Sequence, residues 1–112
     1  MKLLPALFFS LTLAGCAASL PQDIKLSPEG EQVDFAADVP SPDAYTVVGT
    51  VKADAAGPTI DAAIASARND LRNKAAALGA SLLYVDDTKP DQEFTRDLRI
   101  AHVTARAFKA KE

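Results

Sequence analysis

The sequence predicts an α+β fold, one long helix packed on a small mixed β-sheet, with elements in the order β-β-α-β-β. Three observations predict it. One stretch, Thr59 to Ala80, repeats its apolar residues with helical period and carries both a start and a stop signal. Two segments before it and two after it are short and β-branched, apolar or alternating, as strands are. The connections between them hold the proline, glycine and aspartate of turns. At 112 residues the chain has room for one domain.

The elements follow in order. "EQVDFAADV", Glu31 to Val39, alternates Val33 and Phe35 with polar neighbours and reads as a first, weak strand. "PSPD", Pro40 to Asp43, is a turn. "AYTVVGTVKA", Ala44 to Ala53, is β-branched, alternating and free of proline, and reads as the second strand. Gly49 inside it marks a bulge or the close approach of another backbone. "DAAGP", Asp54 to Pro58, reads as a loop. In the helix, Ile60, Ile64, Ala67, Leu71, Ala75 and Leu78 fall on one face. Thr59 caps its start, Asp61 suits the positive end of the dipole, and Gly79 supplies the left-handed residue that ends it. "SLLYVDD", Ser81 to Asp87, reads as a central strand, and "TKPDQEFTRD", Thr88 to Asp97, as a long polar loop. "LRIAHVTARAFKA", Leu98 to Ala110, is the last strand. Its Ala101, Val103, Ala105 and Ala107 share one face; Ile100, His102, Thr104, Arg106 and Phe108 share the other. The strand-helix-strand unit implies a parallel pair joined by a right-handed crossover, with the last strand returning antiparallel. One helix covers one face of such a sheet. The small-residue face of the last strand should meet the alanine-rich helix and leave the mixed face open.

Composition excludes several functions. Twelve Lys and Arg stand against 15 Asp and Glu, a formal net charge of −3, with no basic footprint for nucleic acid and no polybasic anchor for lipid headgroups. Aromatic residues are sparse and Trp is absent, which argues against base-stacking platforms. Residues 1–15 stand apart from the domain. Lys2 is followed by "LLPALFFSLTLA", apolar apart from Ser10 and Thr12, and then by small residues. That is the anatomy of a secretory signal peptide, and the run is too short to span a bilayer.

"LAGC", Leu13-Ala14-Gly15-Cys16, closes this run and resembles the lipobox of bacterial lipoproteins. The resemblance implies cleavage before Cys16, a diacylglyceryl group on its thiol and usually a further acyl chain, such as palmitate, on the new amino terminus. It also implies a bacterial envelope protein held on a membrane through Cys16. Ala17 stands where many inner-membrane-retained lipoproteins carry Asp, so the outer membrane, facing the periplasm, is the expected site. A buried methylene contributes about 0.8 kcal/mol and one chain holds only marginally, so about two or three chains make a stable anchor. Loss of Lys2 lowers the basic count from 12 to 11 against 15 acidic residues, a net −4. The division expected is a signal peptide over 1–15, an acylated cysteine and flexible tether over 16–30, and the domain over 31–112. Fully extended, the tether would reach on the order of 45 Å.

The body carries a second resemblance. "ARNDLRNKAAALGASLLYVDD", Ala67 to Asp87, with "KLSPEGEQV" and "YTVVGTV" before it, is similar to an uncharacterised family of small bacterial envelope lipoproteins, domain of unknown function four-one-five-six. Many members carry a cysteine near the position of Tyr45 and another near that of Ala107; here neither exists, so no disulfide is expected. The family transfers no activity and no catalytic residue. The architecture is also similar to that of outer-membrane lipoprotein sensors of envelope stress, which implies a sensor or adaptor as the alternative role.

Side chains capable of chemistry are few. Cys16 is the one cysteine and His102 the one histidine, which leaves neither a zinc set nor a thiol-imidazole pair. No catalytic residue, cofactor or metal site is therefore expected, and the chain reads as non-enzymatic. "DDTKPDQEFTRD" concentrates Asp86, Asp87, Asp91, Glu93 and Asp97 but lacks the glycine of a calcium loop. It reads as solvated, with divalent-cation binding the weaker alternative. Arg68 and Arg72, one helical turn apart, read as an exposed ridge: a solvated face, or a docking surface for an envelope partner, a phosphate or an acidic polysaccharide. His102 and Arg106 on the open face of the last strand form the second candidate partner surface.

Overall fold

The computed structural model describes residues 20–91 and 98–112. They form β1 (Asp34–Phe35), β2 (Tyr45–Gly57), α1 (Ile60–Ala77), β3 (Leu82–Asp91) and β4 (Arg99–Ala110), with a single 3-10 turn at Gly30–Gln32 before β1. The fold is α+β: α1 packs on one face of a mixed four-stranded sheet in the order β1-β3-β4-β2. The segment read as a signal peptide, Cys16, Glu93 and Asp97 lie outside the described residues.

β2 and β3 point the same way, but they are not neighbours. β4 lies between them, antiparallel to both, so the expected adjacent parallel pair is replaced by a split β-α-β unit. Length explains the insertion. β2 and β4 match from Tyr45–Ala110 to Gly57–Arg99, and a two-residue β1 is left to pair in parallel with Leu82 and Leu83. The first strand is accordingly shorter than the Glu31–Val39 segment, whose start is taken by the 3-10 turn.

Two expected loops are partly strand. β2 runs on through "DAAG" to Gly57, because Ala53 and Ala55 face the helix and β4 offers a partner to each residue. A Cβ on Gly57 would sit 2.8 Å from the Ala63 backbone nitrogen, so the strand end and the first helical turn meet only through glycine. β3 likewise continues through Thr88 to Asp91, paired with Val103 to Ile100. Its register shifts between Val85 and Asp87, and that of β2 between Val47 and Gly49. Gly49 thus marks a bulge. A Cβ there would also lie 3.3 Å from Leu78, at the helix end.

Thr59 caps α1 by accepting the Ala62 N–H, and Gly79, at φ +79°, carries the chain out of the helix. The buried face is rotated from the one expected. Ala63, Ser66, Ala67, Leu71 and Ala75 are buried, Ile60 and Ile64 sit at its margin, and Leu78 is 46% exposed. Small residues win the centre because the sheet beneath is also small. Ala53, Ala55, Ala101, Ala105 and Ala107 are each 1% exposed or less. Alanine against alanine lets the helix backbone settle close to the strands. Leu71, Leu83, Val33 and Val103 supply the larger buried side chains.

The segment read as a flexible tether is tied down from Pro21 onward. Pro21 accepts the Ala56 N–H at 2.9 Å, and Gln22 bridges to Ala56. Polar side chains of α1 then hold the main chain. Ser66 Oγ accepts the Ile24 N–H at 2.8 Å, and Asn69 donates to the Ile24 carbonyl at 2.9 Å. Asn73 accepts the Ser27 N–H at 2.8 Å and donates to the Lys25 carbonyl at 2.9 Å. The described chain is therefore already held on the fold at Pro21, ahead of Glu31.

Candidate partner surfaces

The four residues expected to face a partner fall in two separate places. On α1, Arg68 lays its guanidinium 3.8 Å from the centre of the Phe35 ring. Arg72, one turn on, is turned inward. Its Nε donates to the Val33 carbonyl at 2.8 Å and a terminal nitrogen donates to the Glu31 carbonyl at 3.3 Å. The expected exposed ridge is thus half a clamp: Arg72 ties the entry to β1, and Arg68 alone of the two is exposed. The 3-10 turn and the residue after it bring the Glu31 and Val33 carbonyl groups to this flank of α1, and β1 adds the Phe35 ring.

On the open face of the sheet, neighbouring strands place unlike groups side by side. His102 stands opposite Asp54 on β2 and Lys89 on β3, with His102 Nδ1 2.7 Å from an Asp54 carboxylate oxygen. Arg106 forms a forked pair with Asp86, donating from one terminal nitrogen at 2.8 Å and from Nε at 3.0 Å. Its guanidinium also lies 5.5 Å from the Tyr84 ring and 5.8 Å from that of Phe108. The hydrogen bond to Asp86 raises the Arg106 pKa above its ordinary value. Asp87 pairs with Lys89 at 3.6 Å. Two carboxylates of the acidic stretch are thereby engaged with cations of the sheet. Among the described residues, no three His, Cys, Asp or Glu side chains converge as a metal-binding group.

Sequence reasoning missed an apolar patch at the end of the sheet where β2 begins. Val39, Pro40, Pro42, Tyr45 and Val47 surround a shallow groove with Phe108 in its wall, and Thr46, Arg106 and Lys111 also line it. Val39 and Val47 are 52% and 51% exposed, while Phe108 and Pro40 are buried. The alternation of β2 does signal Val47. Nothing local signals that Val39 joins it, because the Pro40–Asp43 turn has to fold back first. The polar stripe Ser66, Asn69, Asn73 was also legible as a pattern, but not its partner, which lies more than 40 residues away.

No family model matches this sequence, and no significant match was found among curated proteins or solved structures. The resemblance to the small envelope lipoproteins rests on the quoted segments alone. Among the described residues no helix is long and apolar enough to cross a membrane.

Proposed function

We propose that the chain is a lipoprotein of the bacterial envelope, anchored through Cys16, whose domain serves as a non-enzymatic binding or structural module. The observation that carries this reading is "LAGC" at the end of the apolar run Leu3 to Ala14. Ala17 after the cysteine favours the outer membrane, with the domain in the periplasm. Mass spectrometry of the membrane fraction tests the anchor. A diacylglyceryl or triacyl amino-terminal peptide at Cys16 is expected, and Cys16→Ser should release the protein from membranes. An intact Met1 terminus or an unmodified Cys16 would overturn the reading.

A second reading, a sensor or adaptor in an envelope-stress pathway, is favoured by the apolar groove beside Val39 and Val47. A photo-crosslinking residue at Val47 should capture a reproducible envelope partner. Equal labelling from a site on the opposite, helix-covered side, such as Ala65, would count against it.

A further inference from the structure

The direction of the tied-down segment has a consequence for how the domain meets its membrane. The chain enters the fold at Pro21 and Gln22, beside Ala56 at the end of β2. It then runs along α1 from Ser66 past Asn69 to Asn73 and Arg72. Four hydrogen bonds of 2.8 to 2.9 Å read its main chain between Ile24 and Ser27, and Arg72 closes the seam at Val33. Val33 is fully buried, while Ile24 and Leu26 are half-buried along the way. From Cys16 to Pro21 the chain spans at most about 17 Å. A free tether to residue 30 would instead allow about 45 Å. The entry point lies at the end of the sheet where β2 stops and α1 starts. The groove beside Val39 and Val47 lies at the other end, about 33 Å further along β2 from Gly57 to Val47.

We propose that the segment from Pro21 to Val33 is an orienting strap. Docked on α1, it holds the domain end-on, with the Gly57–Asp61 end next to the bilayer and the Val39–Val47 end pointing away from it. The ladder of side chain to main chain bonds sets this orientation, because it leaves at most five residues between the docked segment and Cys16. The inference rests on the reading of Cys16 as the lipid anchor. Charge at the near end is mixed: Asp61 is exposed there, Asp23 pairs with Lys25 at 3.1 Å, and Arg99 stands opposite Gly57.

The test uses the acylated full chain, purified from bacterial membranes and reconstituted in phosphatidylethanolamine–phosphatidylglycerol vesicles carrying a quencher lipid. Single labels go on Asp61→Cys and Thr46→Cys, both exposed positions. The label at 61 should be quenched strongly and the label at 46 weakly. The Asn69→Ala/Asn73→Ala variant should lose hydrogen-exchange protection at the Ile24 and Ser27 amides and should lose the difference between the labels. A second variant, a flexible Gly-Ser insertion of about ten residues between Leu20 and Pro21, should keep that protection and still lose the difference, since it adds about 17 Å of reach. Equal quenching in the native chain would overturn the proposal, as would unchanged protection in the Asn double variant or an orientation that survives the insertion. Failure of the native chain to float with the vesicles would overturn the anchor itself, a different result from floating with no preferred orientation.

Discussion

Arg72 and Arg68 are the same residue type, one helical turn apart, with different work. Arg72 satisfies two carbonyl groups where the chain turns into β1, and its planar fork reaches both. Arg72→Lys should lower stability by about 1 kcal/mol, read as a shift in urea midpoint. Arg68→Lys, which trades one cation over the Phe35 ring for another at an exposed site, should change it by less than about 0.5 kcal/mol. Leu71→Ala should cost about 2–5 kcal/mol, because the alanine surround has no bulk with which to fill the void. Gly57→Ala should cost about 1–3 kcal/mol through overpacking, since the nearest atom is helix backbone rather than a movable side chain. Thermal unfolding checks both. Arg106 contributes no pH dependence near neutrality. A raised guanidinium pKa yields stability that is present below the unfolded value and lost only as pH rises past the folded one, far into alkali.

At the scale of elements, α1 serves two surfaces. Its alanines and Leu71 meet the sheet, and its Ser66–Asn73 stripe meets an extended chain as the edge of a strand would. Its ends are legible locally, since Thr59 and Gly79 act on backbone groups within a few residues of themselves. Thr59→Ala should lower stability by about 1 kcal/mol by leaving the Ala62 N–H without its cap, with the loss visible in the melting temperature. The extents of β2 and β3 are less legible. "DAAGP" and "TKPD" carry turn residues, yet β4 pairs with both and overrides the local preference. The surface pair Asp54–His102 is a product of the same pairing. It is more than a third exposed on each side, so Asp54→Asn should change stability by less than about 0.5 kcal/mol, read from the urea midpoint.

For the whole molecule, the layers place the unlike ends of the domain about the length of β2 apart. One end holds Pro21 and Gln22 beside Ala56, and the other carries the apolar groove. A helix on one face and a charged, self-paired opposite face leave that groove as the place where large apolar side chains of the sheet side meet water. Of the four residues first read as partner-facing, Arg72, His102 and Arg106 are held by polar partners within the domain and Arg68 rests on Phe35. A run of charged residues in the sequence is therefore no sign of free surface charge here, because lysine, arginine and aspartate on the same or neighbouring strands pair with one another.

The amino-acid sequence by itself determines the α+β class, the helix with its cap and stop, and the small-residue face of the last strand. Each of these follows from backbone preference or side-chain period within one segment. At Gly49 the sequence marks a bulge or a close approach, and the register of β2 and β4 decides for the bulge. Tertiary structure alone decides the insertion of β4 between β2 and β3, the rotation of the helix face toward Ala63, and the docking of Pro21 to Val33. These depend on contacts between residues distant in the chain, such as Ile24 with Ser66 across 42 positions. A stretch with two prolines and a glycine looks like a loose linker until a helix face offers its carbonyl and amide groups the partners they would otherwise find in water.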